Sequence, residues 1–313
     1  MLLSIIIVSY NTKELLEACL DSIKASLDNQ KNKKIKNLSL SDIEVIIVDN
    51  NSTDGTREYL KQLTVDSQKL KVKTILNNDN VGFARANNQG IRRAEGKYIL
   101  FLNPDTIVYP NTLDKTIEYL ASNPRVGLIT CRVELADGSL QKECHRGFPT
   151  PWRAFCHFFG LGRLFPKSKL FSGYFLGHLP KNTTHKIDAC VGAFMITKKE
   201  IGDLVGWWDE DFFWYGDDLD LCYRIKKAGY EVVFYPEVKI THYQGASSGI
   251  KKTQSRANKE TKKKVMIASV EAMRVFYQKH YQNKYPRVIG WLVMKGIGLL
   301  EKIRLRSVEK QFK

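Results

Sequence analysis

Residues 43–56 read Ile43-Glu44-Val45-Ile46-Ile47-Val48-Asp49-Asn50-Asn51-Ser52-Thr53-Asp54-Gly55-Thr56. The first six are β-branched or apolar at every position but one, as in a strand buried on both faces, and the rest are turn formers. A buried parallel strand that ends in acids, amides and hydroxyls places polar chemistry at its carboxyl end, where open sheets bind ligands. Residues 4–8 repeat the pattern and end in Ser9-Tyr10-Asn11. A helix is expected next, capped by Asn11 and carrying Leu16, Cys19, Leu20, Ile23 and Leu27 on one face.

Working outward, strands are expected at 72–76, 98–102 and 126–131, and helices after Thr56, at 82–94 and at 112–121. A polar, Lys-rich connection fills 28–42. The alternation β-α-β-α-β-α-β predicts the α/β class, with a doubly wound, mainly parallel sheet and right-handed crossovers. After Asp137-Gly138 the rhythm changes. Residues 148–180 lack periodicity and are rich in Phe, Leu, Gly, Pro and Lys, the composition of a long functional loop or helical lid. A strand at 190–197 and a helix at 217–228, closed by Gly229, complete the pattern.

Of 313 residues, 49 are Lys or Arg and 33 are Asp or Glu, a formal charge of +16. Residues 251–313 hold 17 of the basic residues and four acids, so the tail carries +13 and the first 250 residues are nearly neutral. A hydrophobic share of 43% excludes a disordered or collagen-like chain. The longest apolar run, 288–300, is broken by Lys295 and is too short to cross a hydrocarbon layer of about 30 Å. The N-terminal run reads as a strand, having no basic residues before it and no cleavage site after it. Six cysteines without a C-x-x-C pair read as reduced thiols in a cytoplasmic protein. The tail interleaves its charge with Trp291, Val293, Met294, Ile297, Leu299 and Leu300, which suits peripheral contact with the anionic inner face of the cell membrane. Zinc-finger spacing and RNA-binding aromatic signatures are both missing, so nucleic acid is not an expected partner.

The sequence contains neither G-x-G-x-x-G nor G-x-x-x-x-G-K-[ST]. The strand ends instead bring Ser9-Tyr10-Asn11, Asp49-Asn50, residues 77–80 and Asn103-Pro104-Asp105 to one edge. Such a crevice offers hydrogen bonds and carboxylates, and suits a nucleotide whose diphosphate is neutralised by a divalent metal.

Six motifs in order, residues 8–11, 48–56, 80–88, 103–105, 137–138 and 208–221, resemble the family 2 glycosyltransferases of the GT-A fold, in the subgroup of bacterial polysaccharide rhamnosyltransferases. The resemblance implies a catalytic domain over 1–250. A Rossmann-like nucleotide-sugar half occupies 1–131 and an acceptor and catalytic-base half 132–250, followed by a basic amphipathic helical tail over 251–313. It implies that Ser9, Tyr10, Asn11, Asp49, Asn50, Asn80, Arg85, Asn103 and Asp105 bind the donor, with Tyr10 walling the pyrimidine, Asp49 accepting its ring N–H and Arg85 near the diphosphate or base. Asp105 stands in the D-x-D position and would hold Mg2+ or Mn2+; Asn103 replaces the motif's first acid, which leaves strict metal dependence open, and His242 reads as a structural histidine, a further ligand or a phosphate contact. Asp218 would be the base that deprotonates the acceptor, with Asp217 second. Trp207-Trp208 stands where the family has Gly-Phe before Asp-Glu, and is expected to reshape the acceptor pocket.

The activity implied is inverting transfer of a sugar, rhamnose included, from a nucleotide diphosphate to a surface glycan or polyprenyl-diphosphate-linked acceptor. The competing classes are a non-catalytic nucleotide-sugar-binding or regulatory protein on the same shell and a nucleotidyltransferase. The set Asp49, Asp105 and Asp218 argues against the first. A glycine-rich phosphate loop, which the second requires, is replaced by Ser9-Tyr10-Asn11.

Overall fold

The computed structural model describes residues 1–28, 38–66, 70–243 and 259–311. Its first elements are β1 (Leu3–Ser9), α1 (Lys13–Asp28), β2 (Ile43–Asp49), α2 (Thr56–Asp66), β3 (Lys71–Leu76), α3 (Phe83–Ile91), β4 (Tyr98–Leu102), β5 (Thr106–Val108), α4 (Thr112–Ser122) and β6 (Val126–Leu135). Then follow α5 (Pro151–Phe158), α6 (Leu161–Leu164), β7 (His185–Ile187), β8 (Phe194–Lys198), α7 (Lys199–Val205), α8 (Asp217–Lys227), β9 (Glu231–His242), α9 (Lys259–His280) and α10 (Arg287–Gln311). Most of the connection expected at 28–42 and the proposed boundary at 250 lie outside the described residues.

All described strands belong to one sheet, ordered β3-β2-β1-β4-β8-β6-β9-β5, with β7 beside β9. The apolar runs of β2 and β4 are buried at every position, because helices cover both faces of a parallel sheet. β1 to β4 pair in parallel, and the register sets Ser9 against Asp49 and Asp49 against Leu76, so three strand ends meet at one edge. β8 then enters antiparallel to β4, β6 runs antiparallel to β8, and β9 returns parallel to β6. Parallel pairing therefore dominates the first half and gives way to mixed pairing in the second. β5 and β7 are too short to announce themselves. β9 is interrupted by Pro236 at a register shift, the kind of irregularity where a strand tolerates proline.

Two expected elements are shorter than their apolar patterns. The helix expected at 82–94 ends at Ile91 in tighter turns, Arg93 N–H to Gly90 and Ala94 N–H to Ile91. The strand expected at 190–197 begins only at Phe194, and residues 190–193 leave the sheet. The aperiodic stretch 148–180 folds into α5, α6 and turns, with the Thr150 side chain accepting the Arg153 N–H at the start of α5. All six cysteines are buried free thiols.

Beside the main core, Phe212 and Tyr223 form a second apolar cluster with Phe276, Tyr277 and Tyr281. The first tail helix is thus seated on α8, where His280 Nε2 also lies 2.7 Å from the buried carboxylate of Asp220. Phe276→Ala would remove a ring that is almost wholly buried between them. The expected cost is about 3–5 kcal/mol, read as a lower urea midpoint at unchanged slope. Among the described residues no helix is long and apolar enough to cross a membrane.

Candidate active site

At the end of β2, Asp49 is fully buried. Its Oδ2 accepts the Ser52 N–H at 3.0 Å and an Arg57 Nη1–H at 3.3 Å, while Oδ1 has no partner among the described residues. Leaving a buried carboxylate oxygen without a donor costs free energy, so Oδ1 is suited to a ligand N–H. The turn after β1 is fastened to the turn after β2: Asn11 N–H donates to Ser52 Oγ at 2.9 Å, and Asn11 Oδ1 accepts the Thr53 N–H at 2.7 Å. Asn11 therefore does not cap α1. It sits in the left-handed region at φ +53°, and its side chain is used between the two loops. Ser9 is buried with its hydroxyl against Thr12 at 3.0 Å, and Tyr10 stands half-buried beside it.

Asn50 and Asn80 belong to an amide lattice. Asn50 Nδ2 donates to Gly82 O at 3.2 Å and to Asn80 Oδ1 at 3.4 Å, while Asn50 Oδ1 accepts from Asn77. Asn77 exchanges two hydrogen bonds with Gln89. These amides fix the turn after β2, the turn after β3 and α3 relative to one another. Arg85 is on the exposed side of α3, 3.9 Å from Glu210. Among the described residues no ion pair joins it to Asp49 or Asp105, so the structure does not bring it into their group.

The pairing of Thr106 with His242 between β5 and β9 brings Asp105 and His242 together across more than a hundred residues. Both are buried, with Asp105 Oδ1 3.1 Å from His242 Nε2. His242 Nδ1 is 2.7 Å from Gln141 Oε1, and Nε2 is 3.2 Å from the Asn103 amide. In the tautomer that donates Nδ1–H to Gln141, the one Nε2 lone pair faces both the Asn103 amide and the Asp105 carboxylate, and an imidazole nitrogen beside a carboxylate oxygen is a donor pair that a divalent cation could take by displacing the amide. No group of three His, Cys, Asp or Glu side chains that could hold a metal ion converges among the described residues, and Asp105 and His242 stand there as a pair.

The second acidic group opens α8 behind Gly216, which holds φ +85°. Asp218 Oδ2 accepts from Arg146 Nη2 at 2.7 Å, and Asp218 Oδ1 accepts the Leu219 N–H at 2.7 Å. Arg146 is itself buried, and its Nη2 also donates to Cys190 O at 3.0 Å. Asp217 has one oxygen on the Asp218 N–H and the other, buried, without a partner among the described residues. Burial, and then the neighbouring Asp218 charge, push the Asp217 carboxyl up to about 8. The acid that burial desolvates in this turn is the first one, Asp217.

Residues 190–193 connect the two centres. Ala193 O accepts the Asn103 N–H at 3.1 Å at one end, and Cys190 O takes the Arg146 guanidinium at the other. The Trp207-Trp208 pair does not line an acceptor pocket. Trp208 packs edge-on against Phe83 and Phe101, and Trp207 lies against Gly202, both in the core. Three participants escaped the sequence reading, namely Arg57, Gln141 and Arg146. Each is a lone polar residue in an unremarkable context; only the acid-free surroundings of Arg146 could have suggested a buried partner.

The profile described as Glycosyl transferase family 2 matches residues 4–177, and that described as Glycosyl transferase family group 2 matches residues 98–261. The chain is 25% identical over 218 residues to the N-acetylglucosaminyl-diphospho-decaprenol L-rhamnosyltransferase of Mycobacterium tuberculosis, covering 66% of this chain and 68% of that one. It is 27% identical over 231 residues to the rhamnosyltransferase WbbL of Escherichia coli, covering 64% and 83%. It is 25% identical over 260 residues to the uncharacterized protein y4gI of Sinorhizobium fredii, and spans only 26% of that longer protein. Among solved structures, the mannosyltransferase PcManGT from Pyrobaculum calidifontis in complex with GDP-Man and Mn2+ superposes with a TM-score of 0.57 at 18% identity, covering 98% of this chain and 73% of that one. S. aureus TarS 1-349 in complex with UDP-GlcNAc gives a TM-score of 0.57 at 14% identity, covering 100% and 91%. At these identities the likeness shows a shared fold.

Proposed function

The chain belongs to glycosyl transferase family 2 and has the GT-A fold, and from that premise we propose that it moves a sugar, with inversion, from a nucleotide diphosphate to a lipid-diphosphate-linked glycan. The observation that carries the reading is the span 190–193, which holds a candidate diphosphate end (Asn103, Asp105, His242) and a candidate proton-accepting end (Arg146, Asp217, Asp218) at fixed separation. Rhamnose is the proposed sugar and a polyprenyl-type diphosphate the proposed anchor, on the names of the relatives above.

In this reading Asp49 Oδ1 accepts the ring N–H of a pyrimidine walled by Tyr10, with Ser9, Asn11, Asn50 and Asn80 keeping the loops in place. Asp105 and His242 would hold Mg2+ or Mn2+. When bound, the cation offsets negative charge on the departing diphosphate. Asp218 takes the acceptor hydroxyl proton as that oxygen attacks the anomeric carbon from the face opposite the nucleotide. The new carbon–oxygen bond forms as the bond to the diphosphate breaks. Arg146 holds the Asp218 carboxylate in place, which makes it a positioning residue. Residues 1–131 then serve the donor and 132–250 the acceptor, at the cytoplasmic face of the membrane that carries the lipid.

The experiment is a panel of UDP-, dTDP- and GDP-sugars with Mn2+ or Mg2+. The true donor raises the melting temperature in proportion to its affinity and releases nucleoside diphosphate when acceptor is added. Stabilisation by none of them, with or without metal, would sink the proposal.

A further inference from the structure

From residue 144 to residue 187 the chain has 44 residues without one Asp or Glu and with seven Lys or Arg. Inside this stretch Trp152, Phe155, Phe158, Phe159, Leu164 and Phe165 are between 45% and 70% exposed, as is Leu170 nearby. So many large apolar side chains within 19 residues form a patch of the kind that marks an interaction surface.

The exposure is not a sign of a loose segment. Arg153 Nη1 is 2.6 Å from Asp188 Oδ2, the Trp152 indole N–H donates to Leu170 O at 3.0 Å, and Ser172 Oγ donates to Ser168 O at 2.6 Å. Trp152 stacks on Phe155, which packs on Phe159 with centroids 4.5 Å apart. The fold therefore spends polar contacts to keep these rings facing outward.

We propose that the lid over residues 151–171 is the surface by which this protein enters an anionic bilayer, its rings at the boundary of headgroups and acyl chains. The inference rests on the lipid-linked acceptor reading and deepens it by naming the contact surface. Arg163, Lys167 and Lys169 are exposed and make no ion pair among the described residues, so their charge is available to headgroup phosphates. Mixed rings and cations without acids are the composition of an interfacial anchor. A sugar-stacking platform would need carboxylates beside the rings to accept from sugar hydroxyls, and the stretch has no Asp or Glu. A second copy is disfavoured because it would set two acid-free basic lids face to face.

Val288, Trp291, Leu292, Leu299 and Ile303 are exposed on one side of α10, and the Arg304 charge of the same helix acts on His157 in the lid. The lid supplies the depth of insertion and the basic tail supplies long-range attraction.

The test uses the full chain and vesicles of phosphatidylcholine with and without phosphatidylglycerol, read by co-sedimentation. The wild type binds the anionic vesicles, and the triple change Phe155→Ser, Phe159→Ser and Leu164→Ser lowers its affinity at least about tenfold, since each ring or branched chain buries several CH2 equivalents. All three sites are exposed, and an unchanged melting temperature confirms the fold. Brominated acyl chains quench the wild-type emission, and Trp152→Phe removes part of that quenching. Failure of the wild type to bind overturns the proposal. So does unchanged binding by the triple variant with loss on Trp291→Ser and Leu299→Ser, which would give insertion to the tail alone. Light scattering that shows a dimer dissolved by the lid changes would assign the surface to a second copy and also overturn it. Vesicle binding needs no turnover, so this result stands apart from the donor panel.

Discussion

Asp218→Asn lowers transfer by about 10²–10⁴-fold while the protein stays folded, and Asp217→Asn keeps most of the wild-type rate at pH 7. The difference follows from their surroundings. Asp218 is held between Arg146 and the Leu219 N–H, and each of its oxygens keeps a second lone pair for an acceptor hydroxyl. Asp217 is pushed up to about 8 by burial and by Asp218, so at pH 7 it is mainly neutral and an amide copies it closely. The same shift links this group to stability. An ordinary Asp titrates near 3.9, so the native state retains a proton that the unfolded chain releases. Stability from Asp217 is full below about 3.9, falls as pH rises, and is lost above about 8. Asp217→Asn removes that loss and should unfold at higher urea than the wild type at pH 9. Rates of nucleoside diphosphate release at pH 7, with urea curves at pH 6 and 9, check both statements. A rate in Asp217→Asn as low as in Asp218→Asn would exchange the roles of the two acids.

Arg146→Met destabilises the fold by about 3–5 kcal/mol, the usual result of breaking a buried ion pair from one side. Its removal leaves two adjacent buried acids without a cation. Asp218 then loses the donor that orients it, so kcat falls while the KM for the donor sugar changes little, a split that lost packing alone would not give. Arg146→Lys keeps the charge but loses the planar, multiply donating guanidinium, and should recover part of the stability and part of kcat. Denaturation curves and kcat and KM values of the three proteins decide it. An unchanged kcat in folded Arg146→Met would show that Arg146 does not position the base.

The strands that carry the crevice were legible because burial on both faces requires unbroken apolar runs: β1, β2 and β4 agree with the sequence reading to within about one residue. The same logic fails at residues 190–193, where Cys, Val, Gly and Ala are as suitable for a buried bridge as for a strand. Asp105 and His242 were both singled out, but their contact depends on pairing between a three-residue strand and a bulged one, which leaves little periodic signal. Arg146 was invisible for a different reason. An arginine in a loop reads as surface, and only its tertiary position beside Asp218 gives it a role. The two tryptophans misled in the opposite direction, since large rings beside an active-site motif invite a pocket reading while their burial assigns them to the core.

Residues 190–193 act as a ruler. Asn103 is fastened to one end and Arg146 to the other, so in the proposed reaction the gap between the departing group and the proton acceptor is a matter of chain length rather than of side-chain identity. Insertions can accumulate in the lid or the tail and redirect what the protein glycosylates. One extra residue inside the ruler would put the two ends of the reaction out of register, whatever substrate was bound.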